Sequence, residues 1–321
     1  MLKIKYGFIK LFLLVLVICI ANTPNVFAAD DDVSVDERIA AVGFGKMFTS
    51  DPQKDITNLF GKLDSYNEKK DFKKIRDFYS DDFINNDGFD IDVYMKSVKS
   101  ALDTYVNSQV KTTINSISVN DNYAVVNVTE SGEAEITKAV NGIEGNGLVI
   151  ASANVFYYLH KQGRKWKIVS ANVMDETCSI LYGSAKNVYF SLNVPQQVKS
   201  GSEYTASLSF APMKDVMVSA SITKEPIIFP LPIASGEIFK TVSGDGMLER
   251  IFSANTNNYN EYVISTIGIS KPKMLTPTDF NLELSGTAFV LRRVNVFTPK
   301  SQKPVSKKNS KSSANEVSKE K

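Results

Sequence analysis

The residues of this chain that could do chemistry are few, and most of them carry oxygen. Tyr66, Tyr79, Tyr94, Tyr105, Tyr157 and Tyr158 each offer an apolar ring and one hydroxyl, the lining a hydrophobic ligand needs. The plainer alternative is that most of them fill a core. Asp64, Glu130 and Asp175 are candidate acids, although no spacing selects one of them. His160 is the single histidine and no cysteines cluster, so the sequence carries no metal-ligand pattern and points to no cofactor. No serine or cysteine stands in a recognisable nucleophile turn, and no glycine-rich phosphate loop is present.

A chain of 321 residues with 43% hydrophobic and 22% charged residues is neither disordered throughout nor a polytopic membrane protein. Its net charge of +2 hides a segregation. Residues 1–28 carry three lysines and no acid, residues 300–321 carry seven lysines against two glutamates, and the body between them has a net charge of −6. A mildly acidic body argues against a nucleic-acid-binding surface, because neutralising phosphates needs clustered Lys and Arg.

The N-terminus has the three parts of a secretory signal: basic Lys3 and Lys5, an apolar core over 11–20, and Val26-Phe27-Ala28 at a cleavage site. The reading is export, periplasmic or secreted, after removal of 1–28; an uncleaved membrane anchor and lipidation at Cys19 are the alternatives. Cleavage leaves Cys178 alone, which excludes an internal disulfide and suits a buried small hydrophobe. Residues 29–51 are then an acidic linker.

Helical spacing sets in at residue 52. Ile56, Leu59, Phe60, Leu63 and Tyr66 trace one apolar stripe, a short second helix carries Phe72, Ile75, Phe78 and Tyr79, and a third carries Tyr94, Val98, Leu102 and Tyr105. The period then becomes that of strands. Residues 110–119 and 123–129 flank a turn at Asn120-Asp121-Asn122, and 151–159 and 166–173 flank Gln162-Gly163-Arg164, giving two hairpins. Three helices before a bent antiparallel sheet make an α+β cone over 52–183.

From Lys186 short alternating runs recur at 188–194, 204–210, 216–222, 237–242, 247–252, 262–269, 280–284 and 288–296. That pattern predicts an all-β, immunoglobulin-like sandwich over 187–298, folding apart from the cone, with the junction at 184–187. Within it Ile227, Ile228, Phe229 and Leu231 sit among prolines, either as a ridge offered to a protein partner or as a loop capping their own domain. Arg292-Arg293 is either a contact for an anionic partner or, more plainly, an intramolecular pair with Glu249 or Glu261. Residues 299–321, rich in Lys and Ser, read as a disordered tail, solvated or drawn to anionic envelope polymers or a membrane surface.

The run from Phe78 through Tyr79-Ser80-Asp81-Asp82-Phe83 to Asn86-Asp87-Gly88 resembles the helix-to-strand corner of the nuclear transport factor 2-like superfamily. Tyr158 through Gly163 to Val169 is similar to its penultimate hairpin. That superfamily holds ketosteroid isomerases, polyketide-cyclase-like proteins and pure binding modules. The resemblance implies a cone around an apolar cavity and puts Asp87 where the isomerases keep their base; a turn carboxylate before Gly88 is the alternative. It also places Leu63 where an oxyanion-stabilising tyrosine belongs and Asn154 or Val155 where a protonated acid belongs, so the rest of that constellation is missing.

The expectation is therefore an exported, non-catalytic binding module of the cell envelope. It would hold an apolar small molecule through Tyr66, Tyr94, Tyr105 and Tyr157, or a protein partner, including a second copy of itself. A small lyase or isomerase with Asp87 as general base is the second reading.

Overall fold

In the computed structural model, which describes residues 51–138, 143–229, 238–242, 246–274 and 279–299, the first helix starts where a cap allows it. The leader, the acidic linker up to residue 50, Leu231 and the Lys-rich tail lie outside the described residues. Asp51 accepts the Gln53 N–H at 3.0 Å and Pro52 opens α1 (Pro52–Glu68). Ile56, Leu59, Phe60 and Leu63 are buried along one face, as their spacing predicts. α2 (Phe72–Arg76) is capped by Asp71, whose carboxylate accepts from Lys74 N. It is shorter than the apolar spacing suggested, because Tyr79 already opens the strand β1 (Tyr79–Asn85). α3 (Ile91–Thr104) starts at Asp90 and buries Tyr94, Val98, Ala101 and Leu102.

Both expected hairpins are present but extend further than the alternation indicated. β2 (Tyr105–Asn120) pairs with β3 (Tyr123–Ile136), and β4 (Gly147–Gln162) pairs with both β3 and β5 (Lys165–Gly183). β1 lies parallel to the first half of β5, with Tyr79 opposite Ile168 and Asn85 opposite Ala171. Ala124, Val126 and Val128 of β3 and Val149, Ala151, Val155, Tyr157 and Leu159 of β4 form one buried face, packed with the apolar stripes of α1 and α3 into a single core.

The second half contributes β6 (Phe190–Asn193), β7 (Gln197–Lys199), β8 (Glu203–Phe210), β9 (Met217–Pro226), β10 (Lys240–Thr241), β11 (Met247–Ser253), β12 (Glu261–Met274) and β13 (Phe280–Phe297). The chain turns at Ser184–Asn187, where the pattern changes, but the sheet does not end there. β13 adds antiparallel to the second half of β5, from Gly286 opposite Gly183 to Arg292 opposite Thr177. The order β10-β9-β12-β13-β5-β4-β3-β2 is thus one continuous sheet, with β1 and β7 at its side, and β11-β8-β6 forms a separate three-stranded sheet.

β12 and β13 serve two cores. Tyr262, Ile264, Phe289 and Leu291 join the core beneath the helices. Val263, Ile267, Ala288, Val290 and Val294 join a second core with Leu192, Ala206, Leu208 and Phe252 of the three-stranded sheet. Residues 280–284 and 288–296, which read as two strands, are one strand with a bulge: Ile269 faces Gly286 and Ser270 faces Leu284, leaving Ser285 unpaired in register. Among the described residues no helix is long and apolar enough to cross a membrane.

Gly183, where β5 turns away from β13, has φ +54, and a Cβ there would collide with the Ser285 carbonyl. Gly183→Ala is expected to cost about 1–3 kcal/mol of stability from backbone strain alone. Gly61 of α1 has open space around it, so Gly61→Ala should be neutral or stabilising. Urea denaturation of the two variants compares them directly, and equal midpoints would mean that the β5–β13 contact is looser than described.

Candidate functional site

The inner face of the long sheet carries an acid where its alternation calls for an apolar residue. Ala124, Val126 and Val128 point inward along β3, and Glu130 follows in the same phase, 4% exposed. Its Oε1 accepts the Tyr157 hydroxyl at 2.8 Å. Cross-strand register sets Thr112 of β2 and Ala153 of β4 on either side of Glu130, and Glu176 of β5 beyond Ala153. Thr112 donates its hydroxyl to Asp64 Oδ1 of α1 at 2.9 Å. Tyr79 and Tyr94 pack together, ring centroids 5.3 Å apart, with Phe83 against both. Phe60 lies 5.4 Å from the Tyr157 ring.

This interior disfavours charge. Burial lifts Glu130 from 4.5 to about 8, with the charges of Asp64 and Glu176 adding and the Tyr157 hydrogen bond opposing. Asp64 rises from 3.8 to about 6, again by burial and against the Thr112 hydrogen bond. The Tyr79 and Tyr157 phenols are pushed well above their ordinary range by burial first, and next by neighbouring Tyr94 for Tyr79 and by Glu130 for Tyr157. Near neutral pH the cluster is therefore a protonated carboxyl among neutral phenols, able to donate and accept hydrogen bonds in apolar surroundings.

Asp87 is held elsewhere. Its carboxylate and the Arg293 guanidinium of β13 are both fully buried and meet in two contacts, Nη2 to Oδ1 at 2.5 Å and Nη1 to Oδ2 at 3.1 Å. Asn260 Nδ2 donates to Oδ1 at 2.8 Å. Glu176 Oε2 stands 3.9 Å from Arg293 Nη1 and accepts the Tyr262 hydroxyl at 2.9 Å. Burial raises Glu176 from 4.5 to about 7 in spite of Arg293 and Tyr262. Arg293 Nε donates to Asn295 Oδ1, whose own amide donates to the Met174 carbonyl. A carboxylate engaged with a guanidinium and an amide is tied to the second half of the chain rather than presented to a ligand.

The other singled-out residues scatter. Tyr94 and Tyr157 join the acid cluster, whereas Tyr66 packs outside it, on Phe78 and under Lys74. Tyr105 is buried, with Cys178 and Tyr182 as its electrostatic neighbours. Cys178 is free and fully buried. The apolar ridge is divided: Ile227 is buried in the core beneath the helices, Ile228 is half-buried, and Phe229, 40% exposed, packs edge-on to Phe89. Ile227 is turned inward because its N–H bonds the Asn260 carbonyl, which fixes the chain over the Asp87 corner. Arg292 pairs with Asp175 at 3.2 Å and Arg293 with Asp87, not with Glu249 or Glu261. Glu261 instead takes Lys224, the Tyr204 hydroxyl and the Asn255 amide. Among the described residues no three His, Cys, Asp or Glu side chains converge as a metal site.

Glu130 is one of three candidate acids that no spacing selects, because the strand read from the sequence ends at residue 129; β3 runs on to Ile136, and its alternation carries Glu130 onto the apolar face. Glu176 shares the inward phase of Cys178 and Ile180, a weaker signal because β5 is irregular at Asn154/Val155 and Tyr158/Leu159 of its partner. Nothing local marks Arg293 as the partner of Asp87.

No family model matches the sequence, and no curated protein matches it. Solved structures similar to part of the chain include a putative scytalone dehydratase from Novosphingobium aromaticivorans, 15% identical with a TM-score of 0.32, covering 38% of this chain and 81% of that one. A putative dehydratase of the NTF2-like family from Streptomyces avermitilis is 13% identical with a TM-score of 0.31, over 38% and 94% of the two chains. A putative calcium/calmodulin-dependent kinase II association domain from Exiguobacterium sibiricum is 18% identical with a TM-score of 0.29, over 40% and 95%.

Proposed function

We propose that this chain is an exported, non-catalytic binding module in which a cone of the nuclear transport factor 2-like type is joined to an immunoglobulin-like sandwich. Its ligand is a compact apolar molecule bearing one neutral hydrogen-bonding oxygen. The observation that carries this reading is the buried Glu130–Tyr157 pair among Phe60, Tyr79 and Tyr94. Buried polar groups in an apolar setting with a strongly raised carboxyl pKa are where ligand sites concentrate. The three-part N-terminus supports export, and the Lys-rich end supports electrostatic contact with anionic envelope polymers or a membrane surface.

The engagement of the Asp87 carboxylate by Arg293 and Asn260 supports this reading over the second one, proton abstraction by Asp87. Calorimetry with a panel of cyclic ketones and phenols tests both. A ligand should bind the wild type and lose about three- to tenfold affinity to Tyr157→Phe, the value of one hydrogen bond. Affinity untouched by Tyr157→Phe and by Glu130→Gln would remove the cluster from the site. Turnover of a ketone abolished by Asp87→Asn would establish the isomerase instead.

A further inference from the structure

The acidic body carries a cationic face. Between α2 and α3 a shallow groove of about 590 Å³ is lined by Phe72, Lys73, Arg76, Met95, Lys96 and Lys99, with Asp92 the acid among them. Phe72 and Met95 are half-buried, and Lys73 and Lys96 are exposed. Lys99 lies over the Phe72 ring and reaches Asp103 at 2.8 Å, and Arg76 reaches Asp81. Among the described residues Lys73 and Lys96 have no ion-pair partner.

We propose that this groove docks the chain's own acidic segment, residues 30–37. That segment carries Asp30, Asp31, Asp32, Asp36 and Glu37, interrupted by Val33 and Val35. Its charge opposes that of the groove, and its two valines suit the Phe72 and Met95 floor. Reach allows it: α1 is 17 residues long, about 25 Å at 1.5 Å per residue, and the groove lies beside α2 past its far end. Residues 38–50, before Asp51, span up to ~45 Å when extended. The Lys-rich end of the chain, by contrast, is repelled by the groove. Docking covers a basic surface that would otherwise recruit anions.

Carbodiimide coupling of the purified chain, which joins carboxylates to lysines in direct contact, tests this. Peptide mapping should find links from 30–37 to Lys73, Lys96 and Lys99, with about tenfold lower yield at Lys54 and Lys62 of α1. The links should vanish in about 1 M salt, where the screening length falls to ~3 Å. The link to the retained Lys99 should also vanish in Lys73→Glu/Lys96→Glu, with an unchanged circular dichroism spectrum showing that this variant is folded. Links concentrated on the lysines of 300–321, or spread evenly, would overturn the proposal. So would equal binding of phosphatidylglycerol vesicles through Lys73 and Lys96 before and after Asp30, Asp31 and Asp32 are changed to Asn, because the groove would then be open to an external anion.

Discussion

Arg293→Ala is expected to lower the unfolding free energy by about 3–5 kcal/mol, the usual cost of stripping one partner from a buried ion pair. Arg293 and Asp87 are both fully buried, and the loss strands the Asp87 carboxylate with Asn260 as its remaining side-chain donor. A buried charge without its counterion sets the size of the defect. Asp87→Asn should cost less. Glu176 already stands 3.9 Å from Arg293, and without the Asp87 charge it ionises more readily and becomes the counterion. Urea denaturation of the two variants decides the matter; an Arg293→Ala variant as stable as the wild type would mean that the pair does not tie β13 to the β1 corner. The same reasoning predicts that residues 187–298 expressed alone would leave Arg293 without Asp87 and Glu176.

The second large effect is a stability that falls as pH rises. Glu130 in the folded chain titrates at about 8 against an ordinary 4.5, so the native state keeps a proton that the unfolded chain has already released. Its contribution is fully present below about pH 4.5 and is lost as pH climbs towards 8, with a slope of up to ~1.4 kcal/mol per pH unit. Integrated over that window, the change is on the order of 3–6 kcal/mol. Glu176, raised to about 7, and Asp64, raised to about 6, act in the same direction over narrower windows. Glu130→Gln isolates the first: its amide oxygen can still accept from Tyr157 but cannot titrate. Chemical denaturation between pH 5 and 8 should show the slope reduced by about one proton in this variant. An unchanged slope would mean that Glu130 is ionised in the native chain. The Tyr79 and Tyr157 phenols beside it, raised well above their ordinary range, remain neutral throughout this range.

The sequence by itself determined whatever depends on neighbours along the chain. Asp51, Asp71 and Asp90 cap their helices because an Asx side chain two or three residues ahead reaches an unpaired N–H. The stripe of α1 and the hairpins closed at Asp121 and Gly163 follow from periods of 3.6 and 2. That same period of 2 covered Tyr157 but stopped one residue short of Glu130, and it did not rank Glu130 above Asp64 or Asp175.

Tertiary structure decided the rest, through contacts that carry no local signature. Whether β5 ends a domain or accepts another strand depends on β13, more than a hundred residues later, because any strand edge exposes the same N–H and C=O groups. Of the strands read from 187–298 as a separate sandwich, β9, β10, β12 and β13 therefore lie in one sheet with β2 to β5 of the helix-capped half. Asp87 and Arg293 are 206 residues apart, and only the closure of β13 against β5 brings them together. A carboxylate at a turn looks the same in sequence whether it faces a cavity or a guanidinium, and the difference is set by what the folded chain places opposite it.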